Sequence, residues 1–349
     1  MKKIALVAAL AAISASAFAQ SSVTLYGRIN TSVESQKVGD GQRVTTLQNN
    51  SSRFGLLGTE DLGGGLKASF NVENGFNATN GQLSSSTFFN RASYVQLSGD
   101  FGSVRAGAWF PGSYFAVVDA TSNHNHDTGS SEDALASEII NFGSRTNKVA
   151  YITPTIEGFS AELSLHAGEG VDTRAYDVSG VYDQGPLHLG AGYSKQGGNN
   201  QYSLRATYEF GDIIVGGYVM REELADATAG LPLSLSCALT GGTTTCGTRN
   251  IYRLAAQYNM GQSEFHVNVG NTNSYSNIAN SGATQWTLAY NYNLSKRTKV
   301  YAFYTAVNNQ ANGMYGPQYP LGGPTAATLQ TTTPGLNFSS FAVGVRHNF

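Results

Sequence analysis

Apolar and polar residues alternate along most of this chain. Val23, Leu25 and Ile29 fall on one face of an extended strand, whereas Tyr26 and Arg28 fall on the other. The segments 66–73 and 159–166 repeat the same arrangement. Helical spacing would scatter these apolar residues around a helix axis, so the pattern predicts β-strands rather than helices.

The alternating segments predict a chain made of sixteen strands. They cover residues 23–34, 51–60, 65–76, 88–98, 103–110, 144–153, 158–167, 174–183, 186–196, 200–210, 212–221, 249–259, 262–272, 283–293, 297–308 and 337–349. Tight turns fall at 61–64, 99–102, 154–158, 184–185, 211, 260–261 and 294–297. The breaks between these turns include much longer segments, at 35–50, 111–143, 222–248 and 309–336.

Short turns at one end and long loops at the other are typical of an antiparallel up-and-down β-barrel that spans an outer membrane. Lipid offers no hydrogen bonds, so every strand edge must pair and the sheet must close. A barrel of about sixteen strands leaves an aqueous channel. A soluble β-sandwich or propeller also alternates, but it would turn its apolar face inward. The residues expected to face lipid include Leu25, Phe54, Leu56, Phe70, Leu163, Leu165, Val267, Phe303, Phe341 and Val343.

The first nineteen residues have the features of a secretory signal peptide. Lys2 and Lys3 precede an apolar run over 4–13, and Ala17-Phe18-Ala19 supplies small residues for cleavage after Ala19. The alternative is a membrane-anchoring helix, but an apolar run of this length is short of the ~20 residues that a span needs. We expect 1–19 to be the leader and 20–349 the barrel, exported to the cell outer membrane.

The charge balance does not suggest a nucleic-acid partner. Charged residues make up 13% of the chain, against about 25% in typical soluble domains. Loss of the leader removes two of the 21 lysines and arginines and none of the 23 acidic residues, so the net charge moves from −2 to −4.

The two ends of the predicted barrel carry a specific resemblance. The chain ends in an alternating strand, 341–349, with a terminal Phe349, and His347 stands where an aromatic residue is usual. With the segments 22–27, 52–55 and 90–95, the mature chain resembles general porins of the beta-proteobacterial branch. The resemblance implies a sixteen-stranded barrel, a homotrimer, a third long loop that folds into the lumen, and recognition of Phe349 by the barrel-assembly machinery.

The predicted third loop and the inward positions of the early strands carry most of the candidate selectivity residues. The loop 111–143 contains Asp119, Asp127, Glu132, Asp133 and Glu138. The alternation of side chains along each strand directs seven charged residues inward: Arg28, Arg53, Lys67, Glu73, Arg91, Arg105 and Lys148. The resemblance places an arginine cluster at Arg53 and Arg91, with Glu73 beside it. A positive wall opposite an acidic loop sets up a transverse field, so we expect a mild preference for anions. The alternative is that these arginines are ordinary solvated residues.

Two other groups of residues could bind or cross-link. His124, His126 and Asp127 resemble part of a metal site, but no further ligands are evident, and a solvated loop is the favoured interpretation. Cys237 and Cys246 lie in one loop of an exported chain, so a disulfide is favoured over free thiols.

No catalytic motif is present, and neither a cofactor nor a metal is predicted. An outer-membrane hydrolase barrel would need a positioned His and carboxylate beside a serine. The favoured function is passive diffusion of small hydrophilic solutes and ions through a water-filled channel in contact with outer-membrane lipids. The alternative is a channel specific for a sugar, a phosphate or an organic acid, and Tyr26 and Trp109 are too few to form an aromatic ladder for sugar.

Overall fold

The computed structural model describes residues 22–119, 121, 128–136, 145–170, 173–225, 245–316 and 333–349. Seventeen strands form one antiparallel sheet: β1 Ser22–Val38, β2 Val44–Asn49, β3 Arg53–Gly63, β4 Leu66–Gly75, β5 Ala92–Gly99, β6 Gly102–Ala108, β7 Lys148–Ile152, β8 Phe159–His166, β9 Ala175–Gln184, β10 Leu187–Gln196, β11 Asn199–Phe210, β12 Ile213–Leu224, β13 Gly247–Met260, β14 Ser263–Thr272, β15 Ala283–Asn293, β16 Thr298–Asn309 and β17 Phe338–Asn348.

The sheet closes on itself. Each strand pairs with the next along the chain from β3 to β17, and β17 pairs with β1. The strands β2 and β3 both pair with β1, at consecutive registers. They form one interrupted strand, and the break at 50–52 contains Ser51 with a φ of 55°. The barrel therefore has sixteen positions around its circumference, which confirms the predicted fold class.

The predicted strand positions differ from the structure mainly on the loop side. The first strand continues to Val38 and β2 covers 44–49, whereas the sequence predicted a loop over 35–50. Polar residues such as Gln36 and Gln48 hide the alternation there, although both are buried on the inner side. The strand predicted at 88–98 begins at Ala92, and the one predicted at 144–153 begins at Lys148.

The two faces of the sheet differ in chemistry. One face carries exposed apolar side chains such as Leu25, Leu163 and Val343. The other carries buried polar side chains such as Asn30, Gln201 and Thr305. We call them the outer and inner faces. The prediction that Phe303 faces lipid is wrong. Phe303 is only 2% exposed and lies on the inner face of β16, where its ring is beside Gly129.

Helical structure is minor in the described ranges. The loop after β6 contains one π-helical turn, Tyr114–Asp119, and one short 3-10 turn, Gly129–Ser131. Among the residues that the structure describes, no helix has the length and apolar character needed to cross a membrane.

Candidate functional site

The loop between β6 and β7 is attached to the barrel wall at three separated places. The first attachment is at Ser113, whose backbone N–H donates to Oδ1 of Asp177 at 3.1 Å. Its hydroxyl donates to Oδ2 of the same carboxylate, which also accepts from Ser194 Oγ at 2.5 Å. Asp177 is on β9 and only 1% exposed. A buried carboxylate with several donors holds the beginning of the loop against β9 and β10.

The second attachment is at Ser130, in the 3-10 turn. Its backbone N–H donates to Oε1 of Glu34 at 3.2 Å, and its hydroxyl donates to Oε2 at 2.5 Å. Ser32 and Ser340 also donate to this carboxylate, at 2.8 and 3.0 Å. Glu34 is on β1 and has no measurable exposure. The neighbouring Gly129 has a φ of +58°, and a Cβ on it would lie 2.0 Å from Oε1 of Glu34.

The third attachment is an ion pair between Asp133 and Arg253 on β13. Nη2 of Arg253 lies 2.6 Å from Oδ1 of Asp133, and both side chains are fully buried. The hydroxyl of Tyr218 on β12 donates to the other oxygen. One loop can contact β1, β9 and β13 through side chains of a single face only from inside the closed sheet. The described parts of this loop therefore lie within the barrel.

A pair of charged residues faces the loop from β4 and from the position immediately before β5. Nε of Arg91 lies 2.5 Å from Oε1 of Glu73, with side chains 10% and 14% exposed. The hydroxyl of Tyr26 on β1 donates to Oε2 of Glu73 at 2.9 Å. The guanidinium carbon of Arg91 is 5.2 Å from the centroid of the Phe110 ring. Arg91 is thus held by one carboxylate and one aromatic face.

Arg145 joins Arg91 at the same ring, and the sequence analysis missed it. Its guanidinium carbon is 4.0 Å from the centroid of Phe110. The strand predicted over 144–153, with Lys148 inward, would direct Arg145 outward, but β7 begins only at Lys148 and Arg145 lies before it. Burial, and then the nearby charge of Arg91, lower the pKa of Arg145 to about 10, and the group is still charged at neutral pH.

A second aromatic residue holds two further cations. The Trp109 ring contacts Arg105 at 5.2 Å and the Lys148 amine at 4.5 Å. Its indole N–H donates to Glu162 on β8 at 2.9 Å, and Glu162 also lies 3.6 Å from Nη1 of Arg105. Glu162 is an acidic residue of the inner face that the sequence analysis did not single out. Trp109 and Phe110 together contact four cations on one side of the barrel.

Comparisons with known proteins match this architecture. A family model described as Gram-negative porin covers residues 5–312. The chain belongs to the Gram-negative porin family. It is 30% identical to outer membrane porin protein 32 of Delftia acidovorans over the full length of both chains. It is also 29% identical to an outer membrane porin protein of Bordetella pertussis, over 60% of this chain and 66% of that one.

A solved structure shows the same relationship. The anion-selective porin from Comamonas acidovorans superposes with a TM-score of 0.75 and 28% identity, over 95% of this chain and 100% of that one. The predicted family and the outer-membrane location are therefore confirmed. These relatives are channels rather than enzymes, so this chain is an outer-membrane porin.

The structure places the remaining predicted cations of this porin at different positions on the wall. Arg28 and Arg53 are cross-strand partners on β1 and β3. Nε of Arg28 donates to Asn348 at 2.9 Å, and Arg53 contacts the Ser51 carbonyl at 3.3 Å. Lys67 is exposed and is the cross-strand partner of Asp61, beside the tight turn between β3 and β4. Lys67 therefore lies at the mouth of the barrel rather than with the cluster at Phe110.

The acidic residues predicted for the loop divide into three groups. The prediction that Asp133 acts on ions in the channel is wrong, because its side chain is buried against Arg253 and does not face water. Asp119 and Glu132 are half-buried in the loop, and Asp119 accepts a hydrogen bond from Tyr114 at 3.3 Å. Asp127 and Glu138 lie outside the described residues, as do His124 and His126. Within the described ranges, no three metal-ligating side chains form a group that could hold an ion.

The structure describes the two ends of the chain and the predicted disulfide only in part. Phe349 exchanges two backbone hydrogen bonds of 3.0 Å with Gly27, and its ring covers that glycine. Its role in assembly stays a prediction. Cys246 is buried and is not a free thiol, whereas Cys237 lies outside the described residues, so their pairing stays a prediction. The predicted leader, 1–19, also lies outside them.

Proposed function

We propose that this porin admits small hydrophilic solutes and ions by passive diffusion, with a mild preference for anions, and that the mature chain 20–349 works as a homotrimer. The observation that supports the anion preference is that more positive than negative side chains near the loop are exposed to water. Arg28, Arg53, Arg91, Arg105 and Arg145 retain partial exposure, as do Glu73, Glu162, Asp119 and Glu132. By contrast, Glu34, Asp133, Asp177 and Glu222 are buried.

Two of the buried carboxylates are neutralised by buried arginines and contribute little to the field that a diffusing ion experiences. Asp133 and Glu222 are paired with the buried Arg253 and Arg249. Glu34 and Asp177 accept hydrogen bonds from serines that tie the loop to the wall. The charge facing water near the loop is therefore more positive than the net charge of −2 for the whole chain suggests. The likeness to the anion-selective porin from Comamonas acidovorans also supports a preference for anions.

A substrate-specific sugar channel has less support. Such a channel would present a ladder of aromatic faces to the lumen, but Trp109 is only 4% exposed, and its ring is covered by Arg105 and Lys148. Saturating block of the current by one solute would favour the specific channel instead.

Reversal potentials in planar bilayers under a KCl gradient test the proposal. We expect wild-type porin to favour chloride, and Arg53→Ala with Arg91→Ala to lower the anion-to-cation permeability ratio by about fivefold, because a unit charge acts on an ion about 4 Å away with about 1 kcal/mol even in bulk water. Closure in three equal steps is expected if each inserted particle is a trimer.

The matched control removes two arginines that do not belong to the cluster at Phe110. Arg43 is exposed and contacts Ser35 and Ser339, and Arg221 is on the outer face of β12, where it contacts Asn250. The double variant Arg43→Ala with Arg221→Ala changes the net charge equally and should leave the ratio unchanged. A cation-preferring wild type, or equal effects of the two double variants, would contradict the proposed selectivity.

A further inference from the structure

The ring of Phe110 contacts two arginines. Phe110 is the second residue after β6, it is 4% exposed, and its ring contacts the guanidinium groups of both Arg91 and Arg145. The two arginines come from different segments, one immediately before β5 and the other before β7. No continuous element of backbone would by itself hold these two charges together.

Two guanidinium groups that share one site repel each other. The interaction is strong enough that the charge of Arg91 contributes to the lowered pKa of Arg145. Glu73 compensates Arg91 through a contact of 2.5 Å. The face of an aromatic ring carries a negative quadrupole that attracts cations, so Phe110 offers both arginines a favourable contact without adding a negative charge to the channel.

The ring is fixed well enough to act as a platform. It packs on Tyr114 and Phe115, with centroids 6.0 Å away in each case. The backbone N–H of the preceding residue, Trp109, donates to the carbonyl of Arg145 at 2.8 Å. The segment that carries the ring and the segment that carries Arg145 are therefore joined by a backbone hydrogen bond.

We propose that Phe110 is a positioning residue for anion selectivity: its ring holds Arg91 and Arg145 side by side at the wall, so that both charges act on the same stretch of the channel. This inference rests on the proposed anion preference. Loss of the ring, with every charge retained, lets the two guanidinium groups separate and weakens the local positive potential that ions encounter.

Substitutions at Phe110 that keep every charge test this inference by reversal potential. We expect Phe110→Leu to lower the anion-to-cation permeability ratio about twofold, since a cation–π contact at a partly exposed site is weak. Phe110→Tyr retains an aromatic face and should restore the ratio. If the Leu variant does not fold, as judged by heat-modifiable migration on a gel, Phe110→Met serves in its place as a non-aromatic side chain of similar size.

Phe88→Leu is the matched control. Phe88 lies in the segment before β5, its ring is 51% exposed and packs on Phe89, and no cation contact of it is described. A ratio that stays at the wild-type value in both Phe110→Leu and Phe110→Tyr overturns the inference, as does an equal fall in Phe88→Leu. If wild type prefers anions and responds to Arg53→Ala with Arg91→Ala while Phe110→Leu is neutral, only the positioning role fails. If wild type shows no anion preference, the proposed function itself fails.

Discussion

At the scale of single residues, the burial of a carboxylate decides whether it acts on ions or on the fold. Glu34, Asp133, Asp177 and Glu222 are each at most 1% exposed. A buried charge is tolerated only where partners replace its lost hydration. Each of these four has such partners, which belong to the loop or to a neighbouring strand. They are therefore structural attachments, although the sequence presents them as ordinary acidic residues.

Asp133→Asn should weaken the attachment of the loop to the wall. The substitution leaves the buried Arg253 without its carboxylate partner, which typically costs about 3–5 kcal/mol. We expect a lower thermal unfolding midpoint in detergent and noisier single-channel currents. The double variant Asp133→Asn with Arg253→Met should recover part of the lost stability, because it removes the uncompensated charge as well.

Glu132→Gln provides the matched control for Asp133→Asn. Glu132 is the adjacent residue and carries the same charge, but it is half-buried rather than fully buried. Its substitution should shift the permeability ratio further toward anions and leave the unfolding midpoint close to that of wild type. Equal losses of stability in the two variants would show that burial does not separate their roles.

The roles of Asp133 and Arg145 show what the sequence could not reveal about the site. Asp133 was predicted to face water because its partner Arg253 is 120 positions away along the chain, and no local pattern connects the two. Arg145 was missed because the predicted strand over 144–153 began too early, and period two with Lys148 inward would direct Arg145 outward. Arg91 and Glu73 lie 2.5 Å apart, as the resemblance to porins led us to expect, and their part in ion selectivity stays a prediction.

At the scale of elements, the existence of the strands could be predicted because lipid and water impose opposite chemistry on alternate side chains. The prediction weakened where that contrast disappears. The strand β2 contains Thr45, Gln48 and Asn49 and lies at the loop end of the barrel. On β16, Tyr301 and Phe303 face inward while Val300 and Tyr304 face outward. Both faces are apolar there, so alternation could not tell which side Phe303 would take.

Gly129→Ala should disturb the loop at its contact with Glu34. An alanine at the φ of +58° observed there costs about 1–2 kcal/mol, and its Cβ would lie 2.0 Å from the Glu34 carboxylate and 3.1 Å from the Phe303 ring. We expect the 3-10 turn to move away from β1, with a changed single-channel conductance and larger current fluctuations in planar bilayers.

Gly185→Ala separates backbone strain from the contact with Glu34. Gly185 has the same φ of +58°, but no atom lies within 4 Å of the position that an alanine methyl group would take, and the residue is in the tight turn between β9 and β10. Backbone strain should lower the stability of this variant by a similar amount, yet the variant should conduct like wild type. If both variants conduct alike, the attachment at Glu34 does not control the channel.

At the scale of the whole molecule, stability and conduction depend on opposite faces of the same sheet. The outer face gains stability from apolar side chains that contact hydrocarbon, and the inner face holds polar groups that bind water, the loop or ions. Adjacent residues on one strand therefore have separate roles. The central part of β4 offers a direct comparison, because Phe70 is on the outer face and Ser69 is on the inner face.

Phe70→Arg and Ser69→Arg introduce the same charge one residue apart and should have different effects. Phe70 is 39% exposed, and its ring covers Gly58 on the neighbouring strand. An arginine on the lipid face near the bilayer midplane costs about 2–4 kcal/mol, so Phe70→Arg should lower the unfolding midpoint and the yield of folded barrel. Ser69→Arg should fold normally and change the conductance and permeability ratio, because its charge lies in water. Thermal unfolding in lipid vesicles and bilayer recordings distinguish the two, and matching behaviour of the variants would refute the assignment of faces on which the channel interpretation depends.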